Sequence, residues 1–99
     1  MITEQITIFV SIKAKKEKKQ EVQRILNDLA NSTHQEPGNI NYILHISAQD
    51  DSLFMIYENW KDQAALDNHM NQPYLKDFIA KQSDLLEKPI EGKICKILQ

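Results

Sequence analysis

Three side chains that could do chemistry together lie close along the chain: the carboxylate of Glu58, the indole of Trp60 and the imidazole of His69. Glu58 and Trp60 are two residues apart, so in a strand they share one face with Ile56. If the segment after the strand folds back as a helix, His69 comes near Trp60. Such a group can hold a flat aromatic molecule and manage its protons, because imidazole titrates near neutral pH.

Each of these residues also has a purely structural interpretation. Trp60 at the end of a strand is typical of core or interface packing. A buried Glu58 needs a partner, which could be a cation of another subunit. His69 could satisfy a backbone group of its helix. We expect the segments 40–47 and 53–60 to pair as the two antiparallel strands of a hairpin. His45 then shares a face with Trp60 only if the residue numbers of each cross-strand pair add to an odd number, which the sequence leaves open.

A metal or nucleotide site has little support. His45, Glu58 and His69 would form the two-histidine, one-carboxylate set of non-haem iron sites, but they lack a compact ligand spacing. With only Gly38 and Gly92, the chain has no glycine-rich phosphate loop. We therefore expect no metal and no nucleotide or flavin cofactor.

The elements that position these residues follow from the hydrophobic periodicity. Alternation predicts strands, and repeats of three and four residues predict helices. In chain order we expect a strand over 5–13, a helix over about 17–35, strands over 40–47 and 53–60, helical segments from 62 that Pro73 interrupts and Pro89 ends, and a strand over 90–98. This β-α-β-β-α-β order predicts an α+β, ferredoxin-like fold, an antiparallel four-stranded sheet with helices on one face. We treat residues 1–99 as one domain.

The third strand is apolar on both faces. One face carries Leu53, Met55 and Tyr57, and the other carries Phe54, Ile56 and Trp60. Two helices cover only one face of a four-stranded sheet, so something else must cover the second face. The simplest cover is a second copy of the sheet, and we therefore predict a homodimer.

Composition and charge exclude several partners. The 99 residues have a formal net charge of -2 at pH 7, whereas a nucleic-acid surface needs an excess of Lys and Arg. No window approaches the roughly 18 apolar residues of a membrane span. Cys95 is the only cysteine, so no intrachain disulfide forms. We expect a soluble, cytoplasmic protein that binds neither nucleic acid nor membrane.

Three stretches together resemble the antibiotic biosynthesis monooxygenase (ABM) family. They are EPGNINY at 36–42, FMIYENW at 54–60 and KDQAALDNHMNQPYLKDF at 61–78. Members are similar in having a Glu-x-Gly turn, a Phe-x-x-Tyr-Glu-x-Trp strand and an Ala-Leu-x-x-His helix followed by proline. The resemblance implies a dimeric α+β barrel with a cleft between sheet and helices. Many members oxidise electron-rich aromatic diols or quinols without metal or flavin, while others degrade haem, isomerise a small phosphorylated sugar or have no known activity.

The branches of the family differ at positions that this chain can be compared with. Cofactor-free polyketide oxygenases pair a tryptophan like Trp60 with a strand asparagine and a helix tyrosine, where this chain has Ile56 and Leu66. The haem-degrading branch needs an iron-binding histidine where this chain has Ile79, which disfavours haem degradation. The small quinol-monooxygenase-like branch shares the histidine and proline of the short helix, and this chain resembles it most.

The leading hypothesis is therefore a cofactor-independent monooxygenase that oxidises a small quinol-like aromatic with O2. Its catalytic groups would be His69 and Glu58. The residues expected to contact the substrate are Trp60, Ile56, His45 and Leu66.

Two alternatives stay open. One is an isomerase of a small phosphorylated carbonyl compound, which would need cations near the phosphate. The available cations are Lys61, Lys76 and Lys81. The other is a non-catalytic, ligand-binding dimer, which the missing asparagine and tyrosine favour.

Overall fold

Strands and helices follow the predicted order. A computed structural model of the chain describes residues 4–99. The elements are β1 (Ile6–Lys13), a 3₁₀ turn (Lys16–Lys18), α1 (Lys19–Thr33), β2 (Asn39–Ile46), β3 (Leu53–Trp60), α2 (Gln63–Met70), α3 (Pro73–Ala80), α4 (Gln82–Leu85) and β4 (Glu91–Lys96). The predicted β-α-β-β-α-β fold is confirmed, with the second helical region divided into three short helices. Within this part of the chain, no helix is long and apolar enough to cross a membrane.

The four strands form one antiparallel sheet in the order β2-β3-β1-β4. The predicted hairpin of β2 and β3 is present, with Tyr42 opposite Glu58 and His45 opposite Met55. In this part of the hairpin, the residue numbers of each cross-strand pair add to an even number. Since alternate residues point to opposite faces, His45 lies on the face away from Glu58.

The helices cover one face of the sheet and form the core with it. From the sheet, Ile6, Ile12 and Phe54 are at most 2% exposed. The apolar stripe of α1 supplies Val22 and Leu26, which are equally buried. A core position of this kind is sensitive to truncation, and a Leu-to-Ala change there costs about 2–5 kcal/mol.

The turn between α1 and β2 packs directly onto α2. Gly38 has a φ of 81°, and a Cβ placed on it would lie 2.5 Å from Cβ of Ala65. Only glycine combines this left-handed backbone with such a close approach. The start of α2 is fixed separately, because the Asp62 side chain accepts a hydrogen bond from the Ala65 amide at 2.9 Å. The turn and α2 are thus held together, with Glu36 on one and His69 on the other.

The second face of the sheet has an exposed apolar patch beside a hydrogen-bonded polar group of Thr7, Asn41 and Asn59. Phe9, Ile43 and Met55 on this face are 49%, 46% and 38% exposed. The Phe9 ring contacts that of Tyr57 at a centroid separation of 5.4 Å. An exposed apolar patch of this kind usually marks a contact with another molecule.

Candidate functional site

A cavity of about 320 Å³ lies between the sheet and the helices. Most of its wall is apolar, and all four strands contribute to it. The apolar lining includes Ile8, Val10, Leu26, Ile56, Leu66, Phe78 and Ile94, and the polar lining consists of Tyr42, Glu58, Gln63, Asp67 and His69. An apolar cavity of this size with a few convergent polar groups is typical of a small-molecule site.

The imidazole of His69 is paired with a buried carboxylate. Nδ1 of His69 lies 2.9 Å from Oε2 and 3.1 Å from Oε1 of Glu36. His69 is 3% exposed and Glu36 is 9% exposed. A carboxylate only accepts hydrogen bonds, so Nδ1 carries a proton and donates it. The neutral ring then keeps a lone pair on Nε2, which makes that nitrogen a base.

A second donor holds Glu36 from the other side. The hydroxyl of Tyr74, on α3, donates a hydrogen bond to Oε2 of Glu36. Burial, and next the hydrogen bond to the Glu36 carboxylate, raise the pKa of the Tyr74 hydroxyl above its ordinary value. The hydroxyl therefore remains a donor at neutral pH. Glu36 is fixed between α2 and α3, and its charge is directed at the imidazole.

The carboxyl of Glu58 is held by the indole of Trp60. Trp60 Nε1–H donates to Oε1 of Glu58 at 2.8 Å, and the two side chains are 0% and 4% exposed. Burial raises the pKa of Glu58, and the indole hydrogen bond and His69 oppose this shift. A carboxyl in this setting keeps its proton to higher pH and can act as an acid.

Aromatic contacts connect the two pairs. The Trp60 ring lies against the His69 ring with centroids 4.5 Å apart and an interplanar angle of 33°. Tyr42 approaches His69 edge-on at 6.0 Å. Burial raises the pKa of the Tyr42 hydroxyl, so this group also stays protonated. The polar end of the cavity therefore combines the imidazole of His69, the carboxyl of Glu58, whose pKa is raised, and the protonated hydroxyl of Tyr42.

The structure brings most of the expected site residues to the cavity, but two lie elsewhere. His69, Glu58, Ile56 and Leu66 line it. Trp60, expected as a wall, is fully buried and contacts Glu58 and His69 instead, so it supports them.

His45, expected as a substrate contact, lies outside the cavity. It is exposed on the second face, with Nδ1 3.1 Å from the carbonyl oxygen of Ile43. The reason is the register of the hairpin, which pairs His45 with Met55 and so turns it away from the face of Glu58. The ligand set of His45, Glu58 and His69 is therefore not assembled. Within residues 4–99, no three His, Cys, Asp or Glu side chains are grouped as metal ligands.

Sequence reasoning missed Glu36 and Tyr74. Glu36 stood in a turn, and its partner His69 is 33 residues away. The available signal was the Glu-x-Gly turn of the family resemblance, which contains Glu36. Turn residues are usually exposed, but the structure shows that this side chain is buried. Tyr74 follows Pro73 in the first turn of α3, where its hydroxyl had no visible partner in the sequence.

Comparisons with known proteins agree with this fold. The family model described as antibiotic biosynthesis monooxygenase matches residues 5–81. The uncharacterized protein sll1783 of Synechocystis sp. is 37% identical over 94 residues, which cover 95% of this chain and 64% of that protein. The chain thus spans less than two thirds of that relative.

Two further proteins extend the comparison. YcnE of Bacillus subtilis, whose name assigns it provisionally to the monooxygenases, is 31% identical over 86 residues, or 87% of this chain and 90% of that protein. The solved structure of SO0527 from Shewanella oneidensis has a TM-score of 0.90 at 24% identity, covering 98% of this chain and 95% of that one, and shows the shared fold. Because the family model matches most of the chain, this protein belongs to the antibiotic biosynthesis monooxygenase family.

Proposed function

We propose that this protein is a cofactor-independent monooxygenase that oxidises a small, quinol-like aromatic with O2 and acts as a homodimer. The observation that carries the proposal is the placement of a base, His69, and an acid, Glu58, at the polar end of an apolar cavity. Membership of the family supports the reaction class, as does the name of the Bacillus subtilis relative.

The first step is proton removal by His69. Nε2 takes the proton of a substrate hydroxyl, and the Glu36 carboxylate stabilises the imidazolium that forms. The substrate anion gives one electron to O2, which produces a substrate radical and superoxide. These two combine at a ring carbon, so that a C–O bond forms and a peroxide results.

The second step breaks the O–O bond. The outer peroxide oxygen takes one proton from Glu58 and one from the imidazolium and leaves as water. The ring carbon becomes a carbonyl carbon, and its proton restores Glu58. One oxygen atom enters the product, the other enters water, and the quinol itself supplies the electrons. No external reductant is required.

The charge of the cavity favours this reaction over the phosphorylated alternative. Among the described residues that line it, there is no Lys or Arg, and Glu58 and Asp67 are acidic. The three lysines considered for a phosphate lie outside this lining. A phosphate group would therefore lack a compensating cation, which is unfavourable in an apolar site.

The exposed second face supports the homodimer. It presents Phe9, Ile43 and Met55 to solvent in a single copy of the chain. Pairing two such faces buries these side chains, which contributes roughly 25 cal/mol for each Å² of apolar surface removed from water. A two-fold arrangement uses the same patch on both copies.

Oxygen uptake tests the proposed reaction. Metal-stripped protein is incubated with a panel of quinols and dihydroxyaromatics, and uptake above the autoxidation rate is measured. We expect uptake that His69→Ala abolishes and that His45→Ala, a histidine change outside the cavity, retains. Parallel melting curves show whether each variant is folded. Lack of uptake across the panel, or equal loss in both histidine variants, would refute the proposal.

A further inference from the structure

The cavity crosses the whole sheet. Tyr42 lines it from β2, Glu58 from β3, Val10 from β1 and Gly92 from β4. These strands are consecutive neighbours in the order β2-β3-β1-β4. Three inter-strand spacings amount to about 14 Å. The cavity is therefore elongated across the strands, and longer than a single aromatic ring requires.

Its two ends differ in chemistry and in depth. Glu58 and His69, at the β3 end, are 4% and 3% exposed. Ile94, on edge strand β4, is 67% exposed. The lining from β4 and the segment before it is apolar. It consists of Ile90, Gly92 and Ile94. Glu58 and His69 are thus buried, while the apolar end opens at the edge of the sheet.

Gly92 leaves room at the apolar end. A Cβ built on Gly92 would meet nothing within 4 Å. Its neighbour across the ladder is Val10, which also lines the cavity. A side chain at position 92 would therefore project into the cavity. Gln63 and Asp67 of α2 are the remaining polar lining residues, and their side chains are hydrogen-bonded to one another at 2.9 Å.

We propose that the ligand is a phenol or quinol with an unbranched alkyl or prenyl-like substituent, bound with its ring at Glu58 and His69 and its tail over Gly92. This inference rests on the proposed function, since it places that reaction's aromatic ring at the polar end. A cavity of about 150 Å³ holds benzene. The present volume of about 320 Å³ leaves room for a tail of comparable size.

Binding of para-alkylphenols tests the tail without requiring turnover. Phenol, para-butylphenol and para-octylphenol are titrated into the protein under nitrogen, and Kd is measured by calorimetry. We expect Kd to fall by up to about fourfold for each added methylene that is buried. The gain should level off once the tail reaches the open edge.

Two leucine variants locate the tail. Gly92→Leu fills the apolar end of the cavity. It should raise the Kd of para-octylphenol by about tenfold or more, while the Kd of phenol changes by less than about twofold. Lys93→Leu adds the same side chain to the opposite face and should leave both affinities unchanged. If Gly92→Leu does not fold, Ile94→Thr takes its place, because this exposed position tolerates change and should selectively weaken the long phenol.

The outcomes separate this inference from the proposed function. Affinity that is independent of tail length, or an equal loss for phenol and para-octylphenol in Gly92→Leu, would overturn the inference. Tail-dependent binding without any oxygen uptake would overturn the oxygenase and leave the ligand class standing.

Discussion

Nδ1 of His69 donates a hydrogen bond to the carboxylate of Glu36 at 2.9 Å, although the two residues are 33 positions apart in the chain. The contact joins the turn before β2 to the last turn of α2. It determines which ring nitrogen of His69 carries the proton. It also places a negative charge where an imidazolium would form during proton transfer.

Replacing Glu36 by Gln should separate orientation from charge. The amide oxygen can still accept from Nδ1, but the stabilising charge is lost. We expect the maximal rate of oxygen uptake to fall by about tenfold or more, with a loss of about 1–3 kcal/mol in the free energy of unfolding. Rates at saturating quinol and denaturant titrations measure the two effects.

The matched control for this change is Glu21→Gln, on the exposed surface of α1. It should alter neither the maximal rate of oxygen uptake nor the free energy of unfolding measurably. Imidazole nitrogen shifts, read by NMR in the wild type, should show the proton on Nδ1 without any substrate present. A proton on Nε2 would contradict the arrangement.

Replacing Glu58 by Gln should change how stability depends on pH. Burial raises the pKa of Glu58 in the folded protein. The folded state therefore binds this proton more tightly than the unfolded chain does, and the wild type loses stability as pH rises from about 4.3 through the raised value. Gln does not titrate and can still accept from Trp60.

Melting temperatures across that window provide the measurement. The stability of Glu58→Gln relative to wild type should increase with pH. A difference that stays constant with pH would mean that Glu58 titrates normally. Glu21→Gln again serves as the reference, because Glu21 lies on the exposed surface of α1.

Gly38→Ala should destabilise the protein and disturb the site. The new Cβ would be 2.5 Å from that of Ala65, on a backbone with a φ of 81°. We expect a cost of about 2–4 kcal/mol, since both strain and a clash are involved. Gly92→Ala is the paired comparison, because its Cβ has open space. Equal stability of the two variants in urea titrations would show that the turn does not pack tightly on α2.

Phe9→Asp should prevent dimer formation. It places a charge in the middle of the exposed second face, opposite Lys93, and a partner sheet would have to remove both charged groups from water. Sedimentation velocity should show a dimer for wild type and a monomer for Phe9→Asp. Gln20→Asp, on the exposed start of α1, should remain dimeric. A monomeric wild type would refute the proposed assembly.

The sequence predicts the fold and the half of the site that depends on local pattern. Alternation places Glu58 and Trp60 on one face of β3, and helical spacing brings His69 over that face. These inferences need only neighbours in the chain. The complete burial of Trp60 depends on how closely α2 packs on β3, which no local pattern specifies.

The other half of the site depends on contacts between distant segments. The position of His45 depends on a hairpin register that shifts every side chain when it changes by one residue. The pair of Glu36 and His69 exists because Gly38 lets a turn approach Ala65. Composition and periodicity carry no information on such an approach.

Because the Trp60 ring lies against the His69 ring, the fluorescence of Trp60 can report on the charge of the imidazole. The chain has one tryptophan, so all of its indole fluorescence arises 4.5 Å from the imidazole that would accept the substrate's proton. A protonated imidazole is a stronger acceptor of an excited electron than a neutral one. The emission intensity should therefore change when His69 takes the substrate's proton, without any label, during a single turnover.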